Sequence, residues 1–303
     1  MKVLLIESEY KEIQETTDKY KKQKYWKIAI GLNQVDDLKP SEELKKLVYD
    51  NINNMKTYVE VENELYKYYS KADKINKSEY ECDLVSLKIV ELLDNSSFNL
   101  TINTLKNIHK ELFENIINEE FCGKFRKFDI QKYEDVLNGD SANYGNFKTI
   151  EEDLKDIIRE LGIRKYKIKD INDVVELAVD CVKKIWDVHP FVERNTRTTT
   201  VFTLKFLYSL GITDVSNDLF KDNAKYFRDC LVLTNYSQLN RHNEFINPDI
   251  KPLYRFFKKF LIDDKLKLIE IEPVHNNKYY DKLENPSKLI EYEELNEDLD
   301  LDW

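Results

Sequence analysis

The sequence predicts a mainly α-helical protein with one small β-hairpin. The 303-residue chain contains only six glycines and six prolines, so long stretches lack the residues that commonly end helices. Several of these stretches carry apolar residues at three- and four-residue spacing, which is typical of amphipathic helices. With 42% hydrophobic residues at this length, the chain can bury a sizeable core.

Charge and composition exclude several classes of protein. A formal net charge of −10 argues against nucleic-acid binding as the main function, because phosphate backbones are bound through clustered Lys and Arg. The sequence has no run of about eighteen apolar residues and no secretory signal, so neither membrane nor nucleic acid is an expected partner. We expect a cytoplasmic protein, with a secreted effector as the open alternative. The four cysteines form no CxxC pair and are expected to be reduced, buried thiols rather than zinc ligands.

Residues 26–69 predict a small helical block near the N-terminus. A first helix ends before the turn at Leu38-Lys39-Pro40, and Ser41 is placed to cap a second helix. A shorter third helix follows, with Val59, Glu62, Leu65 and Tyr66 at three- and four-residue spacing. This block is expected to pack against something larger.

A longer helical region follows and contains one interruption. Residues 83–121 carry two helical patterns, whereas residues 127–146 alternate polar and apolar side chains and contain Asn138-Gly139. Alternation around an Asn-Gly pair predicts a hairpin. This flap is the one place where the sequence predicts an exposed strand edge.

The sequence HPFVERNTR, His189 to Arg197, is predicted to form a turn between two buried helices. Apolar residues at helical spacing from Val175 to Trp186 precede it, and a second helical pattern from Val201 runs to Gly211. The N-terminus of the second helix directs free backbone N–H groups toward the turn. A phosphate is therefore the natural occupant.

The side chains of this turn suit phosphate chemistry. His189 can accept a proton near neutral pH, and Glu193 can bind a hard divalent cation through its oxygens. Asn195 offers an amide donor, and Arg197 offers a fork that fits a polyphosphate. Any one of these residues alone is more often a cap or a satisfied polar group, but four of them within nine residues favour an active site.

The same nine residues resemble the signature of Fic domains, HxFx(D/E)GN(G/K)R. GKFRKFDI and the later VLNGD resemble the flap region of that family, and YFRDCLVLTNYSQL at residues 226–239 resembles the helix that often closes its nucleotide pocket. The resemblance spans about residues 83–262. It implies a Fic-type helical bundle with a small β-hairpin flap.

The resemblance also implies an activity, since Fic proteins mostly transfer AMP from ATP to a hydroxyl side chain of a target protein. His189 would deprotonate the Ser, Thr or Tyr hydroxyl of a target or of the protein itself, and Glu193 would hold Mg²⁺. Nucleotide and phosphate contacts would come from Arg194, Asn195, Thr196, Arg197, Asn235 and Tyr236. The flap residues Leu137, Asn138 and Gly139 would pair with an extended target segment. Some relatives form homodimers, which is a weaker expectation here.

LNQVDDLKPS, within residues 26–70, resembles the antitoxin-like helical domain fused to some Fic proteins. In that family a glutamate of the antitoxin helix contacts a second arginine and prevents productive ATP binding. Here Asp36 occupies the glutamate position and Thr200 the arginine position. Asp36 is therefore the first candidate inhibitory residue, and Glu62 and Glu291 are weaker ones.

The sequence predicts four regions of the chain. They are 1–25, an N-terminal extension; 26–70, a regulatory domain; 83–262, a catalytic core; and 263–303, an acidic extension expected to be a solvated tail.

Arg194 is the serious departure from the family signature, because it stands where the motif has glycine. Glycine there lets the loop backbone approach the phosphates and accepts a positive φ. Arg194 could turn outward and add positive charge beside the β-phosphate, or it could crowd the anion site. Two alternatives to AMP transfer therefore stay open: a catalytically impaired interaction module, and transfer from a different phosphorylated donor.

Overall fold

Eleven α-helices and two short hairpins make up the part of the chain that the computed structural model describes, residues 15–72, 74–213, 215, 218–239 and 245–274. The helices are α1 Lys19–Asn33, α2 Glu42–Ile52, α3 Tyr58–Ser70, α4 Lys77–Asp94, α5 Ile102–Phe113, α6 Ile150–Arg164, α7 Ile171–Val188, α8 Asn195–Ser209, α9 Leu219–Asp222, α10 Ala224–Leu233 and α11 Lys251–Leu261. The strands are β1 Tyr133–Glu134, β2 Asp140–Ser141, β3 Gln238–Leu239 and β4 Phe245–Ile246. The predicted mainly helical fold is confirmed.

The chain divides into two compact units. The first unit consists of Met1–Gly123 with Thr200–Ala224, and the second consists of Lys124–Thr199 with Lys225–Trp303. Each unit therefore contains two separate stretches of sequence. The predicted domain boundaries at residues 70, 83 and 262 stay predictions.

In the first unit, α1 packs against α4 and α9. Trp26, Ile28 and Leu32 of α1 are buried. Helix α9 approaches α1 so closely that a β-carbon at Gly31 would lie 2.6 Å from the backbone nitrogen of Lys221. Only glycine fits at this crossing without a shift of backbone.

A buried carboxylate joins three helices of the first unit. Ser41 caps α2 as predicted, since its hydroxyl accepts a hydrogen bond from the backbone N–H of Leu44 at 3.0 Å. Asp83 of α4 in turn accepts from the backbone N–H of Ser41 at 3.0 Å and from the hydroxyl of Tyr69 in α3 at 2.7 Å. Burial raises the pKa of Asp83, and these hydrogen bonds oppose that rise. The carboxylate thereby fixes the ends of α2 and α3 on α4.

In the second unit, α7 packs against α6 and α11. A capping box between Asp170 and Asp173 begins α7, and ten of its eighteen residues are buried, as the apolar spacing predicts. Helix α6 was not among the predicted elements. Its signals are three acidic residues in the first turn, which favour a helix N-terminus, and a buried stripe that includes Leu154 and Leu161.

The extended elements are shorter than the sequence suggests. Strands β1 and β2 pair antiparallel, with Tyr133 opposite Ser141, so the flap predicted over residues 127–146 contains a hairpin of only two residues per strand. A second antiparallel hairpin pairs β3 with β4. The expectation of a single strand edge is therefore wrong, and so is a helix over residues 226–239, since α10 ends at Leu233.

Two further predictions are confirmed. The four cysteines, Cys82, Cys122, Cys181 and Cys230, all lie among the described residues, where they are buried and form no disulfide. Gly211 has φ +82° shortly after α8 ends, a conformation that favours glycine. Among the described residues, every helix is too short or too polar to cross a bilayer.

Candidate functional site

The predicted turn lies between α7 and α8 in the second unit, with its chemistry-bearing residues close together in sequence. Val188 is the last residue of α7, and Asn195 is the first residue of α8. Two non-glycine residues of the turn, His189 and Arg194, adopt left-handed backbone conformations with φ 48° and 63°. Such conformations cost free energy for a residue with a β-carbon, so the surroundings must hold them in place.

His189 caps the C-terminus of α7 and is fixed by its own helix. Its backbone N–H donates to the carbonyl of Trp186 at 3.1 Å, and its ring Nδ1 lies 3.1 Å from the same carbonyl oxygen. A carbonyl only accepts hydrogen bonds, so Nδ1 carries the proton. This tautomer leaves Nε2 as the ring atom with a lone pair, which is the atom a general base requires.

Aromatic rings enclose the imidazole and hold it neutral. The Tyr144 ring lies 4.0 Å from the His189 ring between centroids, and the Trp186 ring lies 4.9 Å away, edge to face. His189 is only 9% exposed. Burial is the main cause that lowers the pKa of His189, and the positive charges of Arg126 and other cations in the second unit contribute, which together bring it to about 3. In the absence of substrate the ring is therefore a neutral imidazole at neutral pH, with Nε2 unprotonated.

Arg126, which was not among the predicted site residues, holds the first residues of the turn in place. Its Nε donates to the carbonyl of His189 at 2.7 Å, and its Nη2 donates to the carbonyl of Val188 at 3.1 Å and to that of Gly145. Its own backbone N–H donates to the carbonyl of Pro190 at 2.9 Å. One buried residue thus fixes three consecutive carbonyls, from Val188 to Pro190.

The remaining donor of Arg126 faces the flap side of the site. Its Nη1 donates to the carbonyl of Phe128 at 2.8 Å and lies 3.4 Å from the carboxylate of Asp129. Asp129 also accepts from the backbone N–H of Phe147 at 3.0 Å. Arg126 lies within the GKFRKFDI stretch, which was assigned to the flap region, so the sequence did contain a signal. Its partners are mostly backbone carbonyls, however, and these cannot be predicted from residue types.

Asn195 closes the turn on itself. Its side-chain oxygen accepts from the backbone N–H of Phe191 at 2.9 Å, and its side-chain nitrogen donates to the carbonyl of Phe191 at 2.8 Å. Asn195 is 2% exposed. The amide therefore holds the loop, and the second N–H of its nitrogen is the donor that a phosphate would use.

Thr196 and Arg197 follow in the first turn of α8. The hydroxyl of Thr196 accepts a hydrogen bond from the indole Nε1 of Trp186 at 3.0 Å, which ties α8 to the end of α7. Arg197 is fully buried. A buried guanidinium at a helix N-terminus concentrates positive charge where an anion would bind.

Glu193 and Arg194 form an ion pair at the outer side of the turn. A guanidinium nitrogen of Arg194 lies 3.4 Å from a carboxylate oxygen of Glu193, and the two side chains are 27% and 39% exposed. Arg194 thus adopts the left-handed backbone that glycine would favour and directs its charge toward the predicted metal ligand. No group of three or more metal-binding side chains occurs among the described residues, so Glu193 would have to act with phosphate oxygens and water.

Polar contacts attach the flap to α10 and to the loop that follows it. Arg228 makes a two-point ion pair with Glu134 at 2.8 and 3.1 Å. The hydroxyl of Tyr236 donates to Asp140 at 3.0 Å. The backbone N–H of Asn143 donates to the carbonyl of Asn235 at 3.1 Å. The flap strands are therefore held from the α10 side.

Asn235 and Tyr236, which the family resemblance implies as nucleotide contacts on the adenine side, lie in the loop after α10 instead of in a helix. Tyr236 is 1% exposed, and Asn235 is also buried. The side-chain nitrogen of Asn235 donates to the carbonyl of Leu231 at 2.8 Å. Both residues support the flap base here, and their contact with adenine stays a prediction.

The flap tip forms a tight turn with two left-handed residues. Leu137 is fully buried, Asn138 has φ 50° and Gly139 has φ 84°. A β-carbon at Gly139 would have nothing within 4 Å, so glycine is favoured there by its backbone conformation rather than by space.

The candidate inhibitory residues lie outside the turn. Asp36 is in the first unit, at the end of a 3-10 turn, Gln34–Asp36, that follows α1. Glu62 forms an ion pair with Lys88 of α4 at 2.7 Å, which occupies its carboxylate. Glu291 lies outside the described residues. Inhibition through any of the three stays a prediction.

One known protein family matches the part of the chain that contains the turn. The family model described as Fic/DOC family matches residues 99–207, a range that includes the flap, α7 and the whole HPFVERNTR turn. Residues 99–207 form a Fic/DOC domain. The fold expected for this part of the chain is thereby confirmed, while the helical region before residue 99 lies outside the match.

The similarity of this chain to individual proteins is more distant. A solved structure, Fic-1 (residues 134–508) from C. elegans, is similar with a TM-score of 0.47 and 17% identity. The similarity covers 79% of this chain and 69% of that chain. No curated protein sequence matches the chain.

Proposed function

We propose that this protein transfers AMP from ATP to a hydroxyl side chain of a target protein. The observation that carries the proposal is the tautomer of His189, whose Nδ1 is bonded to the Trp186 carbonyl while Nε2 keeps its lone pair. A neutral, fixed imidazole at the start of the Fic turn is suited to take the proton of an attacking hydroxyl.

The chemical step is a displacement at the α-phosphorus of ATP. The target oxygen forms a bond to phosphorus as its proton passes to Nε2 of His189, and the bond from phosphorus to the bridging oxygen breaks. Pyrophosphate leaves. A pKa of about 3 makes His189 a weak base in the free protein, but the negative charge of a bound triphosphate would raise it toward the range in which base catalysis is efficient.

The start of α8 supplies positive potential for the phosphates. The free N–H groups of a helix N-terminus favour an anion, and the buried guanidinium of Arg197 adds a full charge. Asn195 and Arg126 act indirectly, through the backbone of the loop. They fix the carbonyls and amides of the loop, which keeps the anion site in shape before ATP arrives.

Glu193 fits a magnesium site of the kind used in nucleotide enzymes. Mg²⁺ is usually bound through one or two carboxylates together with substrate phosphates and water, and Glu193 offers one partly exposed carboxylate. When bound, the ion would offset negative charge on the phosphates as pyrophosphate departs. Arg194 competes for the same carboxylate.

The position of Arg194 favours one alternative. Its guanidinium pairs with Glu193, so the second candidate function is a weakly catalytic Fic domain that acts mainly as an interaction module. Such a module would bind nucleotide or partner without transferring a group at a useful rate.

The donor test uses two radioactive forms of ATP. Incubation of the protein with Mg²⁺ and ATP labelled at the α-phosphate should label protein, whereas ATP labelled at the γ-phosphate should not. Label from the γ-phosphate alone would indicate phosphate transfer and contradict AMP transfer. Label from α-labelled UTP in place of ATP would assign a different donor, and binding of ATP by calorimetry without any labelling would support the interaction module.

Replacing Arg194 tests whether the charge or the backbone limits the reaction. Arg194→Gly removes both the competing cation and the left-handed strain, while Arg194→Ala removes only the cation. We expect both variants to lower the Mg²⁺ concentration needed for half-maximal labelling by about threefold to tenfold, because an exposed ion pair contributes only about 0.2–1 kcal/mol and the loss of a like charge adds to it.

The two variants distinguish an effect of the guanidinium from an effect of the backbone conformation. Equal effects of glycine and alanine would assign the limit to the guanidinium, and an effect of glycine alone would assign it to the φ of 63°. An unchanged Mg²⁺ requirement in both would contradict competition for Glu193. Lys127→Ala, which changes an exposed cation on the flap side, serves as the matched charge control.

A further inference from the structure

The flap tip already has an occupant from the same chain. The backbone N–H of Val274 donates to the carbonyl of Val136 at 2.8 Å. The side-chain nitrogen of Asn138 donates to the carbonyl of Val274 at 2.6 Å. Both backbone polar groups of Val274 are therefore bonded to the flap, one on each side of Leu137.

This arrangement resembles one rung of a parallel strand pair. In such a pair, a residue donates to the carbonyl before its neighbour and accepts from the N–H after it. Here the backbone N–H of Asn138 is used within the turn, where it donates to the carbonyl of Asp135 at 2.9 Å. The side-chain amide of Asn138 takes its place, which gives this residue a function beyond turn formation.

The segment that reaches the flap is mostly exposed to solvent. After α11, the chain turns at Asp263 to Leu266, and the carbonyl of Lys267 accepts a hydrogen bond from Arg255 at 2.8 Å. Five of the seven residues from 267 to 273 are exposed. The sequence of residues 268–274, LIEIEPV, alternates apolar and acidic side chains over Ile269 to Glu272, which is typical of a strand.

We infer that residues 268–274 are an internal occupant of the flap, which must leave before a target strand can dock there. The inference rests on the proposed function, since it assigns the regulation of target entry. A single hydrogen bond changes an equilibrium by about fivefold, and a tethered segment competes at an effective concentration on the order of millimolar. The segment can therefore slow target docking and still be displaced by a target strand with more contacts.

The first experiment measures occupancy without catalysis. The backbone amide of Val274 is followed by hydrogen exchange in the full-length protein, where we expect it to be protected. Asn138→Gly keeps the left-handed turn but removes the side-chain donor, and exchange at Val274 should become about fivefold faster. A synthetic peptide of residues 268–274, added at millimolar concentration, should also accelerate this exchange by displacing the segment.

The second experiment measures the effect on transfer. Val274→Pro removes the N–H that Val136 accepts, whereas Glu272→Pro changes an exposed residue of the same segment. Labelling of casein, a protein rich in accessible hydroxyl side chains, from α-labelled ATP should rise about fivefold in Val274→Pro and stay at the natural level in Glu272→Pro.

The outcomes separate the inference from the proposed function. Exchange at Val274 as fast as in an unfolded peptide would overturn occupancy of the flap. Equal labelling by the natural protein and Val274→Pro, where both label, would overturn competition with the target. An absence of labelling in every protein would overturn AMP transfer, and the peptide competition would then decide whether the segment occupies the flap.

Discussion

Replacing Arg126 with methionine is expected to lower the free energy of unfolding by about 3–5 kcal/mol, because several buried carbonyls lose their donor at once. Methionine fills a similar volume but donates no hydrogen bond. The carbonyls of Val188, His189 and Gly145 all accept from the guanidinium in the natural protein. The substitution also removes the interaction that holds the first residue of the turn in its left-handed conformation, so AMP transfer should fall with stability.

Urea unfolding followed by circular dichroism measures this loss. Lys127→Met is the matched control, because it makes the same chemical change at the next residue, whose side chain is exposed; we expect it to change stability by less than about 0.5 kcal/mol. Arg126→Lys keeps the charge but not the planar fork and should fall between the two. A loss below 1 kcal/mol in Arg126→Met would show that the turn keeps its shape without the guanidinium.

The contrast between Arg126 and His189 indicates which parts of a site a sequence can reveal. His189 was predictable because histidine, glutamate, asparagine and arginine at fixed spacing carry chemistry in their side chains. Arg126 lies more than sixty residues earlier, next to an exposed lysine, and bonds to main-chain carbonyls that every residue has. Residue type and spacing therefore predict the reacting groups of the turn better than the groups that position them.

Length and period explain the differences in the fold. The eighteen residues of α7 show the helical period five times over, and that helix was predicted. Strands of two residues, such as β3 and β4, are too short to show alternation. The helix over residues 226–239 was implied by the family resemblance alone, and the chain instead leaves the helix after Leu233 and forms β3.

The C-terminal region shows a third kind of limit. Composition alone predicts a solvated tail over residues 263–303, because the stretch is acidic. Residues 267–273 are indeed mostly exposed, but Val274 is bonded to the flap through its backbone. Strand addition depends on main-chain groups and on the side-chain amide of one residue, Asn138, so the acidic composition of the segment gives no indication of it.

Removing the base should have the largest effect on the reaction itself. We expect His189→Ala to lower the rate of AMP transfer by about 10²–10⁴-fold, the range that a positioned general base contributes. His189→Asn is the sharper variant, since asparagine tolerates a positive φ and its amide can donate to the Trp186 carbonyl as Nδ1 does. It therefore preserves the cap of α7 and removes only the basic nitrogen.

The two His189 variants separate chemistry from structure. If Nε2 accepts the proton, the asparagine variant should bind ATP like the natural protein in calorimetry, keep its thermal unfolding temperature within a few degrees, and still lose transfer as fully as the alanine variant. His275→Ala, which alters a histidine outside the turn, should label normally. Transfer by His189→Asn at near the natural rate would contradict proton removal by His189. The positive potential of the buried Arg197 and of the α8 N-terminus would then be sufficient to activate ATP toward a hydroxyl.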